Sequence, residues 1–544
     1  MKKSSSVVAV TTVAIALVLG AIGTFHNPKV VVRTSVPVIY KMFGWGEQPD
    51  SNYGEINFFL WDQMNPSEEQ YNWSRVDLIL ERYRNQVITL RDGSIVPKPV
   101  QTQLLFSLSS SDKAGQVYTD YTPQWVYSQI GQGSYKIQGC GAVAVVPRYD
   151  SDLWQKAYFA AVQAFADHIR LTGIKNVVSV VIPVGLDGET QLVKDMGCNW
   201  NELLDHQYSI RYSWSANTFY RKGFIYKCID VYRKAFPKLD LYVNAAPTAG
   251  LRMPVSEYCL NQSPPIGLKH SGVIQDMDSV EGRLGYVGSW DHIKKYMSKV
   301  PIWLESAFGL GVAENRYWSE HFALHFHPDA IDFHPEYLTQ SEPKWLDFVT
   351  MCLGQSAKTA PVVWTVMRDY EYPEVLWGTG GVSGLTGDYQ FFVHRTSDNP
   401  RVLRESIPYD KNSVYSRQAR TGTSFSFAID DEWSSEGATF VFTILNTGAK
   451  VTFEIENGLV IDMGPATNKW EEITFGVLNP SKHFSITTDK MIYLHKVAVY
   501  KKLSVVPTTM IVTPTPIATP TPTPTPTPRT VTLEIYWNGE IKCK

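Results

Sequence analysis

Two glutamates sit where buried apolar runs give way to polar residues. Val177–Val184 runs into Gly185-Leu186-Asp187-Gly188-Glu189, and Ile302–Leu304 runs into Glu305. A carboxylate beside a buried strand is costly unless it is hydrogen-bonded or used. Cleavage of a glycosidic bond uses such a pair: one acid protonates the leaving oxygen, and one carboxylate attacks or activates water from the opposite side. The glycines before Glu189 let backbone approach a bulky substrate closely. Other apolar runs end in side chains suited to sugars. Ile56–Leu60 leads to Trp61-Asp62 and Leu241–Val243 leads to Asn244, which with Asp187 are candidate substrate contacts. His270 and Arg368 are candidate hydroxyl contacts.

His321, His325, His327 and His334 take four of the 12 histidines. His325-x-His327 has a spacing that can seed a metal site. Metal-dependent barrel hydrolases carry such a pair on their first strand, whereas this one lies late, so neither a metal nor another cofactor is expected. His334 and Glu336, in Asp332-Phe333-His334-Pro335-Glu336, are expected to face the sugar or to pack beneath it. If Asp329–His334 is itself a barrel strand, Glu336 rivals Glu305 as the second carboxylate.

Positioning these groups falls to a long alternation of strands and helices. Candidate strands are Val36–Phe43, Ile56–Trp61, Gln101–Ser107, Val177–Pro183, Leu239–Asn244, Gly267–Ile274, Pro301–Glu305 and Pro361–Val366. Between them lie amphipathic stretches such as Trp154–Leu171, with Tyr158, Ala161, Phe165 and Ile169 on one stripe, and Asn217–Ala235. Strand–helix alternation over some 300 residues implies a parallel sheet, and eight units close as a (β/α)8 barrel spanning about 36–400. Chemistry in such a barrel sits at the C-terminal ends of the strands.

Phe58-Phe59-Leu60-Trp61-Asp62-Gln63-Met64-Asn65-Pro66, then Tyr71-Asn72-Trp73 and Val76-Asp77, resembles the early segment of clan A glycoside hydrolases. The resemblance covers roughly Val36 to Asp369. In β-galactosidase-like members the acid/base glutamate ends strand four and the nucleophile ends strand seven. The resemblance therefore implies Glu189 as acid/base and Glu305 as nucleophile, and Trp364 as an aromatic platform under the sugar. One position departs. The clan usually has Asn before the acid/base residue, and here it is Gly188, preceded by Asp187. A Gly-Glu pair at this point is similar to β-amylase-like inverting barrels.

After the barrel the period shortens. Phe425/Phe427, Phe440/Phe442/Ile444 and Val451/Phe453/Ile455 alternate, with Asn446-Thr447-Gly448 as an expected hairpin turn. This segment, about 405–502, reads as a β-sandwich and resembles galactose-binding-like jelly-roll modules, with Trp433 and Trp470 as candidate sugar contacts.

Composition agrees with a carbohydrate partner. The 16 Trp, 29 Tyr and 24 Phe supply flat faces for sugar rings, and a net charge of −3 argues against a nucleic-acid partner. Lys2 and Lys3 before the apolar run Val7–Ile22 form an export signal or an uncleaved anchor, within 1–28. Residues 505–529, nearly pure Thr-Pro from Thr513 to Pro528, form a stiff linker. Val531–Trp537, in the final segment 530–544, reads as one strand, either a short C-terminal strand that pairs elsewhere or the start of a truncated module. An extracellular or cell-surface location follows, with membrane or cell-wall attachment through the N-terminal segment. The expected function is an exported glycoside hydrolase that cleaves O-glycosidic bonds of oligo- or polysaccharides with a pair of glutamates and retention of configuration; the alternatives are a non-catalytic carbohydrate-binding or adhesion protein of the cell surface on a barrel scaffold, and an inverting β-amylase-like hydrolase.

Overall fold

The computed structural model describes residues 37–42, 53–90, 93–112, 115–139, 142–191, 206–208, 218–245, 249–273, 290–306, 313–340, 343–367, 388–399, 401–402, 419–455, 458–501, 533–535 and 541–543. The export segment, the Thr-Pro linker and Arg368 lie outside the described residues, as does the side chain of Glu336.

Eight parallel strands close a barrel: β1 (Ile39–Lys41), β2 (Gly54–Leu60), β3 (Val100–Leu105), β4 (Val177–Val181), β5 (Asp240–Asn244), β6 (Gly267–Val273), β7 (Ile302–Ser306) and β8 (Ala330–Phe333). Closure comes from β8 pairing with β1, Ile39 opposite Ile331 and Lys41 opposite Phe333. The eighth strand is therefore the Asp329–His334 run. Pro361–Val366, expected as a barrel strand, lies outside the ring and pairs antiparallel within the sheet that follows. Five consecutive buried residues, Val362–Val366, suit either place, so periodicity could not separate them.

Side chains alternate between the barrel lumen and the helical layer. At the N-terminal end the lumen is filled by rings: Trp303 lies 4.3 Å from Tyr40 and 5.2 Å from Tyr242. Glycine is required beside them, because a Cβ on Gly54 would come within 2.6 Å of the Tyr40 ring and one on Gly267 within 2.5 Å of Tyr242. A short hairpin, Val87–Thr89 with Ile95–Pro97, closes that end. Ile88, Leu90 and Val96 join the lumenal cluster of Val38, Tyr40, Tyr242 and Trp303.

The helices wrap this ring. Of those used below, α1 is Ser74–Glu81, α2 Asp152–Thr172, α3 Tyr226–Ala235, α4 Asp291–Tyr296, α5 Ala313–His325 and α6 Pro343–Cys352. The expected stripe of α2 is buried at Trp154, Tyr158, Ala161, Phe165 and Ile169. Ser151 caps its start by accepting from the Trp154 N–H, and Gly173 at φ 65° ends it. The 217–235 stretch is mixed, a π-helix over Thr218–Ile225 leading into α3.

The second unit is antiparallel: β9 (Val362–Val366), β10 (Tyr389–Phe391), β11 (Val393–Arg395), β12 (Ala419–Ile429), β13 (Gly437–Leu445), β14 (Lys450–Glu454), β15 (Leu459–Asp462), β16 (Trp470–Leu478) and β17 (His483–Lys501). The 19-residue β17 serves both layers. Its first part pairs with β14, its last part with β13 and β9, and much of its length with β12. Asn446-Thr447-Gly448 is thus no hairpin between its flanking strands. It is a turn in which Asn446 Oδ1 accepts from the Gly448 N–H (2.8 Å), passing the chain between stretches of β17. Phe425, Phe427, Phe440, Phe442, Phe453 and Phe484 form the core between the layers. The architecture is a (β/α)8 barrel followed by a β-sandwich, and the sandwich sheet already begins at Val362.

Candidate active site

At the C-terminal end of the barrel, inward residues of strands four to eight form one hydrogen-bonded chain. After β4 the backbone makes a single 3-10 turn, Leu186–Gly188, with Asp187 at φ 56° and Gly188 at φ 81°. A side chain at Gly188 would be strained by that φ and would place its Cβ 3.0 Å from Gln103 Oε1. This accounts for a glycine at position 188. The turn is fixed by its own bonds, Leu186 N–H to Gln191 O (2.8 Å) and Thr190 N–H to Asn244 O (3.0 Å). Glu189 thereby returns to register beside Asn244.

The Glu189 carboxylate accepts from Asn244 Nδ2 at 3.0 Å and from the Gln191 amide. Asn244 Nδ2 also reaches Ser271 Oγ at 2.6 Å, and Ser271 donates to Glu305 Oε2 at 3.1 Å. Three contacts in series therefore link the two carboxylates across β4, β5, β6 and β7. Beneath Glu305, Lys269 Nζ lies 2.6 Å from Oε2 and 3.8 Å from Asp332 Oδ2. Asp332 also accepts from the Trp303 indole.

Electrostatics at this floor are set by burial and by two carboxylates sharing one cation. Burial alone would depress Lys269, yet Asp332 and Glu305 outweigh it and raise its pKa. Asp332 is pushed up to about 7, chiefly by burial; Lys269 opposes that rise and Glu305 adds to it. Lys269 and Ser271 share the inward face of β6, so polar periodicity was the available signal for those two. Of this network only Glu305 was singled out from sequence; Lys269, Ser271 and Asp332 were missed.

Other expected contacts fall into three places. Asp62, Asp187 and His334 are half-buried at strand ends on the mouth side. Burial raises the pKa of Asp62, while N–H donors from Gln63 and its own backbone lower it. Glu336 starts the short helix Pro335–Gln340 after β8. Trp61, His270 and Trp364 are away from the mouth. Trp61 is buried against Trp154 and Tyr158 in the helical layer. His270 points outward and stacks on Trp290 at 4.2 Å, because in β6 it alternates with the inward Lys269 and Ser271. Trp364, on a sandwich strand, is wholly buried beside His321, Phe348 and Phe391, and so is no sugar platform.

Three of the four clustered histidines, His321, His325 and His327, belong to the joint between barrel and sandwich. His321 Nδ1 contacts Tyr317 O (2.9 Å) and its Nε2 faces Lys496 Nζ (3.1 Å). His325 Nδ1 accepts from the Gln390 N–H (3.0 Å), and His327 stacks on Phe391. Among the described residues no group of three or more His, Cys, Asp or Glu side chains is placed to hold a metal. Trp433, a candidate sugar contact of the sandwich, is buried and donates to Ala360 O at 3.1 Å.

No protein-family model matches this sequence, and no curated protein is similar to it. Solved structures show partial likeness. The catalytic domain of β-amylase from Paenibacillus polymyxa aligns at 10% identity and a TM-score of 0.35, covering 55% of this chain and 92% of that one. A family 29 carbohydrate-binding module aligns at 14% identity and 0.13, covering 15% and 71%. TmCBM61 in complex with β-1,4-galactotriose aligns at 10% and 0.15, covering 20% and 87%. At such identities and TM-scores these likenesses assign no activity to the chain.

Proposed function

We propose that the protein is an exported glycoside hydrolase of the clan A, β-galactosidase-like type, cleaving O-glycosidic bonds of oligo- or polysaccharides. The observation that carries this reading is the Glu189–Asn244–Ser271–Glu305 chain at the mouth of one barrel. Two carboxylates from strands four and seven converge there, as bond cleavage between sugar and aglycone requires.

Glu305 has the fixed Lys269 cation beside it, which suits a carboxylate that must enter the reaction charged. It attacks the anomeric carbon, the bond to the leaving oxygen breaks, and Glu189 delivers a proton to that oxygen. Glu189, held by the amides of Asn244 and Gln191, then takes a proton from the water that releases the sugar from Glu305. Asn244 and Ser271 are placed between the carboxylates to meet a sugar hydroxyl. Asp62, Asp187 and His334 on the same side supply further hydroxyl contacts. The export signal read at Lys2-Lys3 and Val7–Ile22 supports work outside the cytoplasm.

The test compares Glu189→Gln with wild type on oligosaccharides and on aryl glycosides with activated leaving groups. Glu189→Gln is expected to lose about 10²–10⁴-fold on oligosaccharides and far less on activated aryl substrates. Equal losses on both would refute the acid role. NMR of the first-formed anomer separates retention from inversion, and absence of turnover by wild type across a broad glycoside panel favours a sugar-binding surface protein.

A further inference from the structure

We propose that the N-terminal end of the barrel docks on an anionic lipid surface, leaving the carboxylate mouth facing away from the membrane. This does not depend on the catalytic reading. The hairpin over 87–97 buries Ile88 in the barrel and packs the half-buried Val96 against the same cluster, but turns Val87 and Ile95 outward, 52% and 67% exposed. Leu171, 85% exposed, lies at the same end, where Arg84 Nη1 donates to the neighbouring Thr172 O (3.0 Å) and Asn176 Nδ2 donates to Gln86 O (3.1 Å). Isolated apolar residues on a surface are ordinary, but these three share one end of the barrel.

Lysines surround them in a repeated position. Lys175, Lys238 and Lys299 are exposed, each two residues past a helix C-cap: Gly173 for α2, Phe236 for α3 and Met297 for α4. Lys234 and Lys295, in the last turns of α3 and α4, lie at this end as well and answer the helix dipole. The dipole does not account for the exposed Val87, Ile95 and Leu171. Of the acidic side chains at this end, Glu81 and Asp167 are each paired with an arginine, Arg84 and Arg170, and Glu257, near the end of the helix Ala249–Leu260 that precedes β6, is exposed. Asp240, at the start of β5, is half-buried near Arg233. An apolar centre with a basic rim is complementary to anionic headgroups over acyl chains.

The chain itself leads to this end. It enters β1 at Val38, inside the cluster that the hairpin closes. The sequence before it carries Lys2, Lys3 and the apolar run Val7–Ile22. Ile22 to Val38 reaches roughly 50 Å at full extension, so an anchored segment keeps this end within reach of a bilayer. No described helix is long and apolar enough to cross a membrane.

Amide hydrogen exchange of the full chain in vesicles tests the proposal. With phosphatidylcholine–phosphatidylglycerol (3:1) vesicles at low salt, exchange over 86–97 and 171–176 should slow about fivefold or more relative to pure phosphatidylcholine. The mouth-side segment 61–73 should not change. Each lysine contributes roughly a fivefold factor near an anionic surface, so K175Q/K238Q/K299Q should lose on the order of 100-fold of the docking equilibrium and return exchange to the neutral-lipid level. Unchanged exchange elsewhere in the barrel shows that this variant is folded. Identical exchange in the two lipids, or slowing over 61–73 in place of 86–97, would overturn the proposal.

Discussion

Lys269 and Lys496 both lose hydration on folding, and their surroundings treat them in opposite ways. Lys269, at the barrel mouth, lies 2.6 Å from Glu305 and 3.8 Å from Asp332, and its pKa rises. Lys496, at the joint with the sandwich, sits 4.2 Å from the centre of the Phe348 ring and 3.1 Å from His321 Nε2. Burial pulls it down to about 8, with Glu472 and Cys352 only partly opposing. Desolvation disfavours the charge at both sites, and the neighbours decide the outcome. At the mouth two carboxylates hold a permanent cation. At the joint a neutral histidine accepts from an amine among aromatic rings, and burial likewise holds His321 well below its usual range. The first environment suits chemistry with charged intermediates; the second suits a packed seam.

Removing each lysine should separate the two sites most strongly. Lys269→Met leaves the buried Asp332 and the half-buried Glu305 without their cation. It should destabilise the fold by about 3–5 kcal/mol in urea unfolding, with a matching loss of turnover. If it is neutral, the mouth network carries no electrostatic weight. Next comes the turn that aims Glu189. Gly188→Ala meets a strained φ and Gln103, so kcat should fall about 10²-fold with stability changed by roughly 1–2 kcal/mol. An unchanged kcat would mean that Glu189 needs no such placement.

The pH dependence of stability should differ in sign between the regions. Asp332 has its folded pKa raised to about 7 from 3.8, so the folded state holds a proton that the unfolded state has released. Its contribution is complete below about pH 4 and is lost as pH rises through 7. Lys496 has its folded pKa lowered to about 8 from 10.5, so the unfolded state holds the extra proton and stability grows as pH rises from 8 to 10.5. His321, also lowered, withdraws stability as pH falls below about 6.5. Asp332→Asn should abolish the first slope alone, in unfolding curves from pH 4 to 8. The smallest effect belongs to Lys496→Met, which replaces a costly buried amine by an apolar chain. It should change stability by no more than about 1 kcal/mol and flatten the rise above pH 8. A loss as large as that of Lys269→Met would erase the distinction.

Legibility in the sequence follows the same division. Strand ends were readable because apolar runs stop abruptly at Asn244 and Glu305, and at Val184 before the glycine turn that carries Glu189. The two glutamates proved to lie at strands four and seven, since the misassigned run at Pro361–Val366 comes after both. Orientation was harder to read. His270 and Lys269 are adjacent in β6, and only the register of the ring decides which faces the lumen. Trp364 was unreadable for a different reason. A run buried on all sides, such as Val362–Val366, fits a barrel and a sandwich equally, and long-range pairing with β17 settles it. Asp332 was passed over because a lone aspartate in a short strand carries no local sign of the lysine two strands away.

The most direct test of the pair at the mouth is the release of reducing sugar from a broad glycoside panel by wild type and Glu305→Ala. Wild type should hydrolyse at least one member of the panel, and Glu305→Ala should fall by about 10⁴-fold on that substrate while keeping its fold. Turnover by Glu305→Ala at the wild-type rate would contradict the account and move the role to Glu336.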